Sequence, residues 1–490
     1  MVKYYLDALL IALFFKCLWI QLLPHWNKGM AMQIWPGYVN KRYGVRFPEG
    51  DTVSLPLHFP NGQRLAQLVL HNPDFPTYYE PYQSFRRCIE QKEGNCAWRL
   101  CAFYRMPGYL PWLYLGDVLG GIDQGRAWTI GLQLLLGALA AVIFGDLIRL
   151  LTGCSLYIAP ASLLWSSSPF IARYEFILGS EGFYHSFLVL SLWALAKSQW
   201  QNRFWITLSG LFILEAMLLR PITAPLFAIY TLPFILQKNG RFVYLWLPFI
   251  AFEAFWLTCT HKVHRKAFLT TKSIFYFENP DEAYDEWWRI HVFMSTFGDN
   301  YYWFYYPTYK LPLRAYTSAF NPDTEAQLLT LLRRFYSLQE SEAEYQFSWR
   351  LREWERHIRR EKPLLYHFTS RLYATANFLA SHWMESFFYT DARKAGVIYR
   401  RIYGYSVGLW VVVVGLGFLL TPFILYQARS QPLLLTAALS AHYAWLSHVF
   451  LRSIQSRYFL FSLVFFLVLV VGWVARWVCR RAPSTSLRLG

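Results

Sequence analysis

The sequence predicts an all-α polytopic membrane protein, and three observations support this fold class. Hydrophobic residues make up 55% of the 490 residues and charged residues only 16%, whereas soluble proteins carry about 25% charged residues. The chain is rich in Trp and Tyr, which concentrate at membrane interfaces. Several apolar runs also reach the roughly 20 residues that a helix needs to cross a bilayer. A large soluble enzyme is the weaker interpretation.

The formal net charge of +17 does not indicate a nucleic-acid partner. The basic residues lie mostly beside apolar runs, where they orient helices and contact anionic lipid. No nucleic-acid-binding motif accompanies them. We therefore expect most of these basic residues to contact membrane lipid and some of them to bind a phosphate ligand.

Apolar runs place the predicted helices, and polar stretches divide the chain into regions. The first predicted helix covers 4–23, and the others lie at about 127–150, 155–171, 179–197, 204–220, 221–237, 242–260, 402–427, 431–451 and 457–476. This pattern predicts about ten transmembrane helices and two long extracytoplasmic loops. The chain then divides into six regions. They are a first transmembrane helix (1–24), a loop with surface helices (25–108), a transmembrane core (109–260), a partly helical second loop (261–401), C-terminal transmembrane helices (402–478) and a basic tail (479–490).

The basic residues of the short loops predict the orientation of the chain. A cytoplasmic N-terminus places on its own side Lys3, Arg149, Lys197, Arg203, Lys238, Arg241, Arg429, Arg476, Arg480, Arg481 and Arg488. This distribution follows the positive-inside rule. Both termini are then cytoplasmic and both long loops face the opposite side, as in an integral protein of a bacterial cytoplasmic (inner) membrane.

The seven cysteines fall into two groups. Those in or beside apolar segments are predicted to be packed thiols: Cys17, Cys154, Cys259 and Cys479. The first loop holds Cys88, Cys96 and Cys101, and an oxidising compartment would allow one disulfide, closed by Cys88 with either of the other two. These cysteines lack the paired spacing of a zinc site, and no other spacing indicates a bound metal.

The second long loop contains two predicted helices. Asn321 and Pro322 supply an N-cap and a first helical position, and apolar residues follow at helical spacing. The run from Glu340 to Glu361 mixes charges of both signs, which is typical of an exposed helix.

Acidic and basic residues at helix ends of the predicted outer face suggest a chemistry. No nucleotide triphosphates are found there, so an enzyme that transfers groups must use a carrier in the bilayer. A polyprenyl-phosphate-linked sugar needs one carboxylate to activate the acceptor and fixed cations to stabilise the departing phosphate. The candidate carboxylate is Asp74, with Glu80 and Asp51 as reserves. The candidate phosphate-binding residues are Arg105, Arg173, Arg220 and Arg457.

Each candidate also has a structural interpretation. Asp74 follows Asn72 and Pro73 and would suit a turn cap. Arg105 would equally anchor its loop at the lipid headgroups, and Arg173 would form an ion pair with Glu175 or Glu181. Arg220 and Arg457 would extend to the membrane interface.

The order of these motifs resembles the GT-C superfamily of membrane glycosyltransferases. The nearest branch holds the dolichyl-phosphate-mannose protein mannosyltransferases and the lipid A aminoarabinose transferases. The matching motifs are Pro73-Asp74 with Tyr78, Arg105 to Pro111, Ser180-Glu181, Leu218 to Pro221 and Ser456 to Tyr458. The family has its catalytic aspartate in the first outer loop and basic residues around the lipid phosphate.

The resemblance implies roles for particular residues. It makes Asp74 the catalytic base and adds Tyr78, Tyr109 and Glu181 as substrate-binding residues. Many family members carry a paired acidic motif soon after the first helix, whereas Asp74 comes later here, so the identity of the base stays open. Some members use a divalent cation, although no cofactor is expected from the residues of this chain.

The predicted function is therefore that of an inverting glycosyltransferase. It would move a sugar from a polyprenyl-phosphate carrier to a hydroxyl or amine of a protein, lipid or glycan, and the sequence assigns neither the sugar nor the acceptor. The alternatives are a transporter or flippase of lipid-linked saccharides and a non-catalytic membrane scaffold. A transporter would tend to show repeated halves and broken helices at the midplane, and neither is visible in the sequence.

Overall fold

The computed structural model describes residues 1–26, 31–34, 53–56, 76–92, 94, 96, 107–176, 179–265, 286–298, 311–338, 341–376, 397–427, 429–450 and 459–481. These ranges are predominantly helical, which confirms the all-helical part of the predicted fold class. Within them, the regular structure that is not helical is one short antiparallel pair, β1 (Ala31–Ile34) with β2 (Val53–Pro56).

The helices of the first half include the longest in the chain. They are α1 (Val2–Trp26), α2 (Pro76–Glu90), α3 (Leu110–Thr152), α4 (Ile158–Ser166), α5 (Pro169–Glu175), α6 (Glu181–Lys197), α7 (Arg203–Leu219), α8 (Leu226–Leu236) and α9 (Val243–His264). Short 3₁₀ turns precede four of them, at Pro107–Tyr109, Ser155–Tyr157, Pro221–Thr223 and Gly240–Phe242.

The second half contains the remaining helices. They are α10 (Glu286–Ser295), α11 (Pro322–Leu338), α12 (Ser341–Glu361), α13 (Ser370–Ala376), α14 (Val397–Tyr426), α15 (Pro432–Phe450) and α16 (Phe459–Arg481). A 3₁₀ turn lies at Leu313–Ala315, and a π-helical turn at Leu365–Thr369 precedes α13.

Most predicted helices coincide with observed ones, but the helix predicted at 155–171 is wrong as a single element. The chain forms α4 and then α5, with a break immediately before Pro169. Proline has no backbone N–H and its ring clashes with the preceding turn, so it begins a new helix instead of continuing the old one.

Helix α3 reverses direction at Gly121. This glycine has φ +67° and ψ 177°, a conformation that residues with a side chain avoid. The arms before and after it lie close together, because a Cβ added to Gly116 would lie 2.2 Å from Oγ1 of Thr129. Residues 110–120 and 122–152 are therefore two arms of a helical hairpin.

A large hydrophobic core joins α1, α3 to α8 and α14 to α16, and it includes the buried rings of Phe144, Trp165 and Phe465. Among the described helices, five are long and apolar enough to cross a membrane: Val2–Gln21, Gln124–Thr152, Gly240–Val263, Gly408–Tyr426 and Phe461–Arg480. These spans support the predicted membrane character. The count of ten helices stays a prediction.

A second hydrophobic core lies within residues 290–366. Helix α12 contributes a stripe of Phe347, Leu351, Trp354 and Ile358, all buried. The prediction of an exposed helix here is therefore wrong in part, because the helix buries one face while its charges cover the other. Arg371 of α13 links this region to α15 by donating to the Val449 carbonyl at 3.3 Å.

The cysteines confirm one prediction and correct another. Cys88 forms a disulfide with Cys96, which is one of the two predicted pairings; the other was with Cys101. Cys259 is also disulfide-bonded, so the prediction of a packed thiol there is wrong. It lies near the C-terminal end of α9, and the apolar sequence around it gives no sign of a disulfide partner. Cys17, Cys154 and Cys479 are free, with Cys17 exposed and therefore not packed.

Candidate active site

The 3₁₀ turn Pro107–Tyr109 packs directly against the end of α7. A Cβ added to Gly108 would lie 2.5 Å from the carbonyl carbon of Leu218 and 2.7 Å from the Leu219 nitrogen. These are backbone atoms that cannot move aside, so the turn requires glycine at this position. The close approach fixes Tyr109 beside the end of α7, which Arg220 immediately follows.

Tyr109 begins a chain of buried hydrogen bonds. Its hydroxyl donates to Oε1 of Gln133 at 2.9 Å. The Gln133 amide donates in turn to the backbone carbonyl of Glu175 at 2.8 Å. Because all three residues are buried, this chain sets the position of the end of α5 relative to α3.

The Glu175 carboxylate is completely buried and has two partners. One is the ammonium group of Lys16, a residue of α1 that is also buried. The other is His185, whose Nε2 lies 3.2 Å from Oε1 of Glu175, while its Nδ1 lies 3.0 Å from the Glu181 carbonyl oxygen. We call Lys16, Tyr109, Gln133, Glu175 and His185 the Glu175 cluster.

A second ion pair lies beside this cluster, at the first residue of α6. Arg220, immediately after α7, donates through a terminal guanidinium nitrogen to Oε1 of Glu181. The side chains of Arg220 and Glu181 are 12% and 9% exposed, so this pair is partly accessible while Glu175 is sealed. The Ser180 hydroxyl donates to the other Glu181 oxygen at 3.3 Å.

Aromatic and small residues hold α6 close to its neighbours around the two ion pairs. The Trp112 ring stacks on Phe183 with centroids 4.2 Å apart, and its indole N–H donates to Glu215 at 2.8 Å. The hydroxyl groups of Tyr184 and Thr223 are 2.8 Å apart. These contacts join the start of α6 to α3 and to the turn after α7.

The first-loop helix α2 is attached to the hairpin of α3. Tyr82 is buried and donates to Asp117, and Arg86 donates to the same carboxylate at 2.9 Å. Burial, together with the carboxylate acceptor, raises the pKa of Tyr82 well above its ordinary value. The hydrogen bond from Arg86 to Glu90 raises the pKa of the Arg86 guanidinium. Tyr82 and Arg86 are therefore both protonated hydrogen-bond donors at neutral pH, as they would be without these shifts.

A third polar group lies at the opposite ends of the same helices. The Asp146 carboxylate accepts from Tyr5, from Arg149 at 2.6 Å and from the Trp193 indole at 2.8 Å. The Lys197 ammonium lies 3.5 Å away from it. We call these five residues the Asp146 cluster.

The two clusters are separated by most of the thickness of a bilayer. Gln133 and Asp146 are thirteen residues apart on α3, which corresponds to roughly 20 Å at about 1.5 Å per residue. From Gln133 to Thr152, the end of α3, the same rise gives roughly 28 Å. A hydrocarbon layer is about 30 Å thick, so the two clusters are separated along α3 by roughly two-thirds of such a layer.

The structure brings some predicted site residues together. Glu181 and Arg220 form an ion pair, and Tyr109 is joined through Gln133 to Glu175. Tyr78 and Glu80 lie on α2, and Arg173 lies on α5. The other candidates fall outside the described residues: Asp74, Asp51, Arg105 and Arg457.

The sequence analysis missed Lys16, Gln133 and His185 as members of the site. Lys16 carried a usable signal, because a lysine within an apolar helix is rare and tends to be paired or functional. His185 and Gln133 had no distinguishing pattern in the sequence.

The arrangement suits recognition of an anion at the membrane interface. A guanidinium carries five N–H donors, more than one carboxylate accepts, so Arg220 can bind Glu181 and a phosphate oxygen together. Among the described residues, no group of three or more His, Cys, Asp or Glu side chains is arranged to hold a metal ion.

Comparisons with known proteins add no family to these observations. No protein-family model matches the chain, and no significant match was found among curated proteins or among solved structures.

Proposed function

We propose that this protein is an inverting membrane glycosyltransferase that uses a polyprenyl-phosphate-linked sugar. The observation that carries the proposal is the Arg220–Glu181 pair, which is partly accessible and lies beside the buried Glu175 cluster. The cluster fixes the start of α6, and the Gly108 turn fixes the end of α7. A phosphate-binding guanidinium held this firmly needs little reorganisation when charge develops on the leaving phosphate.

The proposed orientation places this pair on the extracytoplasmic side. Lys197 and Arg203 lie at the Asp146 end of the helices, which the positive-inside rule assigns to the cytoplasm. Cys88, Cys96 and Cys259 give independent support, because they lie toward the opposite end and are disulfide-bonded, as expected in an oxidising compartment.

The proposed count of ten spans adds shorter helices to the five long ones. Helices α6 and α7 have 17 residues each, roughly 26 Å at about 1.5 Å per residue, which nearly crosses the hydrocarbon layer. Helix α15 has 19 residues, and α4 with α5 forms one broken span. Helix α8 with the turn before it, Pro221–Leu236, is a shorter apolar helix and completes the count of ten. All of them contribute to the same hydrophobic core as the long helices.

The proposed reaction is a single displacement. A carboxylate of the first loop takes the proton of the acceptor hydroxyl or amine while the acceptor atom bonds to the anomeric carbon. The bond from that carbon to the phosphate oxygen breaks, and its electron pair leaves with the polyprenyl phosphate. Arg220 stabilises the added negative charge. One displacement without a covalent intermediate inverts the anomeric centre.

The base is proposed to be Asp74, which precedes α2 by two positions. Helix α2 is attached to the hairpin that begins at the Gly108 turn, through Tyr82 and Arg86 on Asp117. This attachment ties the first loop to the same part of the molecule as Arg220.

The test is release of polyprenyl phosphate from labelled polyprenyl-phosphate sugars by the purified protein. We expect Asp74→Asn to lower the rate by about 10²–10⁴-fold, the range of general-base catalysis. Asp51→Asn and Glu80→Gln are the matched controls and should stay near the wild-type rate. Full activity in Asp74→Asn with loss in either control would assign the base to that other residue. Absence of release with every donor tried would contradict the enzyme proposal.

A further inference from the structure

Helices α11 and α12 enclose a groove on the surface of the second core. Its volume is about 590 Å³, and it lies between one face of each helix. The floor includes the buried Leu328 and the half-buried Leu331. The groove is distinct from the candidate active site, whose residues lie on other helices.

The walls combine an aromatic surface with hydrogen-bonding side chains. Trp349 is 47% exposed at the groove, an unusual position for a large apolar ring. Gln327 lines the wall formed by α11, and Gln346 lies one turn before Trp349 on α12. In the described part of the chain, neither the Trp349 indole N–H nor the Gln327 amide has a hydrogen-bond partner, so both can serve a ligand.

The charge of the groove is positive. Arg334 and Arg350 line it from opposite helices, and its lining contains no Asp or Glu. Outside the lining, Gln346 donates to Glu342 at 2.8 Å. Guanidinium groups bind carboxylates and phosphates bidentately, so the pair favours an anionic ligand.

We propose that this groove binds an acidic saccharide. The C–H face of a sugar ring would pack on the Trp349 indole, as amphipathic ligands do on exposed aromatic rings. Its hydroxyl groups would bond to Gln327 and Gln346, and a uronate or phosphate group would pair with Arg350 and Arg334. The inference rests on the proposed function only in identifying this saccharide as the acceptor glycan, since binding itself requires no transfer.

The experiment measures binding of fluorescently labelled oligogalacturonide to the full chain in non-ionic detergent, by fluorescence anisotropy. We expect saturable binding that weakens with added salt, and no comparable binding of a labelled neutral malto-oligosaccharide. Trp349→Ala and Arg350→Gln should each raise Kd by about tenfold, which corresponds to one lost stacking or charge-assisted contact.

Arg356→Gln is the matched control, because Arg356 is an exposed arginine of the same helix that does not line the groove. It should leave Kd within about twofold. Equal weakening by Arg356→Gln, equal binding of the neutral saccharide, or no saturable binding of oligogalacturonide would overturn the proposal. A different pair of results would assign the groove to lipid contact and would also overturn the proposal. In that case the wild-type protein binds phosphatidylglycerol vesicles but not oligogalacturonide, and Arg350→Gln loses the vesicle binding.

Arg220→Gln separates this proposal from the proposed function. The variant should keep the Kd for oligogalacturonide while it loses transfer from the polyprenyl-phosphate sugar. Saccharide binding by a wild-type protein that releases no polyprenyl phosphate would support the groove and contradict the enzyme.

Discussion

The Glu175 cluster and the Asp146 cluster both join α1, α3 and α6, and the Glu175 cluster also includes the end of α5, but they satisfy their charges differently. Asp146 has four partners, and its cations Arg149 and Lys197 are 18% and 30% exposed. Glu175 is fully buried with a lysine that is only 6% exposed. The Asp146 cluster therefore joins helix ends through partly exposed cations, whereas the Glu175 cluster holds a buried carboxylate next to a buried ammonium group.

This difference favours the Glu175 cluster as the one associated with the proposed site. Charges near a membrane surface can reach the headgroups at little cost. Charges buried within a membrane protein are expensive and tend to mark functional positions. The Glu175 cluster also lies beside the partly accessible Arg220–Glu181 pair, while the Asp146 cluster lies at the end rich in basic loop residues.

The largest expected effect comes from Lys16→Met, which leaves the Glu175 carboxylate without its ammonium partner. Breaking a buried ion pair on one side typically lowers stability by about 3–5 kcal/mol. The free energy of unfolding, measured by titrating SDS into mixed micelles, should fall by about this amount. A loss near zero would show that the buried charge needs no partner.

The double variant Lys16→Met/Glu175→Gln sharpens this test. Removing both charges leaves no unpaired ion, so the double variant should be more stable than Lys16→Met alone. Additive losses in the two single variants would contradict a direct pair.

Gly108→Ala should lower the free energy of unfolding by about 1–3 kcal/mol, the range for forcing an atom into a packed site. The added Cβ meets the backbone of Leu218 and Leu219, which also displaces the helix end that holds Arg220. The same SDS titration measures the loss. Gly131→Ala is the control, since its added Cβ meets nothing within 4 Å, and it should be neutral or slightly stabilising. Equal effects of the two substitutions would refute the close contact.

Asp146→Asn should have a smaller effect, about 1 kcal/mol, the net contribution of an ordinary hydrogen bond. Asparagine still accepts from Tyr5 and Trp193, and the freed cations can extend to the headgroups. The SDS titration and the transfer assay are both informative here. A loss as large as that of Lys16→Met, or a loss of transfer at full stability, would remove the distinction between the clusters.

The smallest effect concerns Glu361, which lies outside both clusters in the second core region. Hydrogen bonds from the Ser318 hydroxyl and backbone N–H lower the pKa of this carboxyl below its ordinary value of 4.5. Because the pKa is lower in the folded state, the ionised Glu361 carboxylate stabilises that state. This stabilisation is present above pH 4.5 and is lost as the pH falls through the lowered pKa of the folded state. The unfolding midpoint, measured by circular dichroism, should fall less steeply with decreasing pH in Glu361→Gln than in the wild type. An unchanged profile would show that the bond does not contribute.

Local pattern accounts for most of the helices but not for the site. Apolar runs located α1, α6 and α7 to within a few residues, because length and hydropathy are local properties. The apolar stripe of α12 was hidden by charges of both signs on its other face. The break at Pro169 was visible in the sequence but was outweighed by the apolar residues around it.

The contacts that form the candidate site join residues far apart in the chain. Glu181 and Arg220 were chosen individually from their positions at helix ends, but their pairing across 39 residues was not predicted. Lys16 and Glu175 are 159 residues apart, and no periodicity connects them. Such pairings depend on how helices pack, which hydrophobic patterning alone does not specify.

The most direct measurement compares two arginine–carboxylate pairs in the same assay. Polyprenyl phosphate released from a labelled donor is quantified for wild type, Arg220→Gln and Arg149→Gln, with the folded fraction of each checked by SDS titration. We expect Arg220→Gln to lower release by about 10²-fold or more, as for loss of a group that stabilises developing charge, and to raise the KM for the donor. Arg149→Gln should keep release within about twofold. Equal rates for the two variants would contradict the assignment of the phosphate site to the Arg220–Glu181 pair.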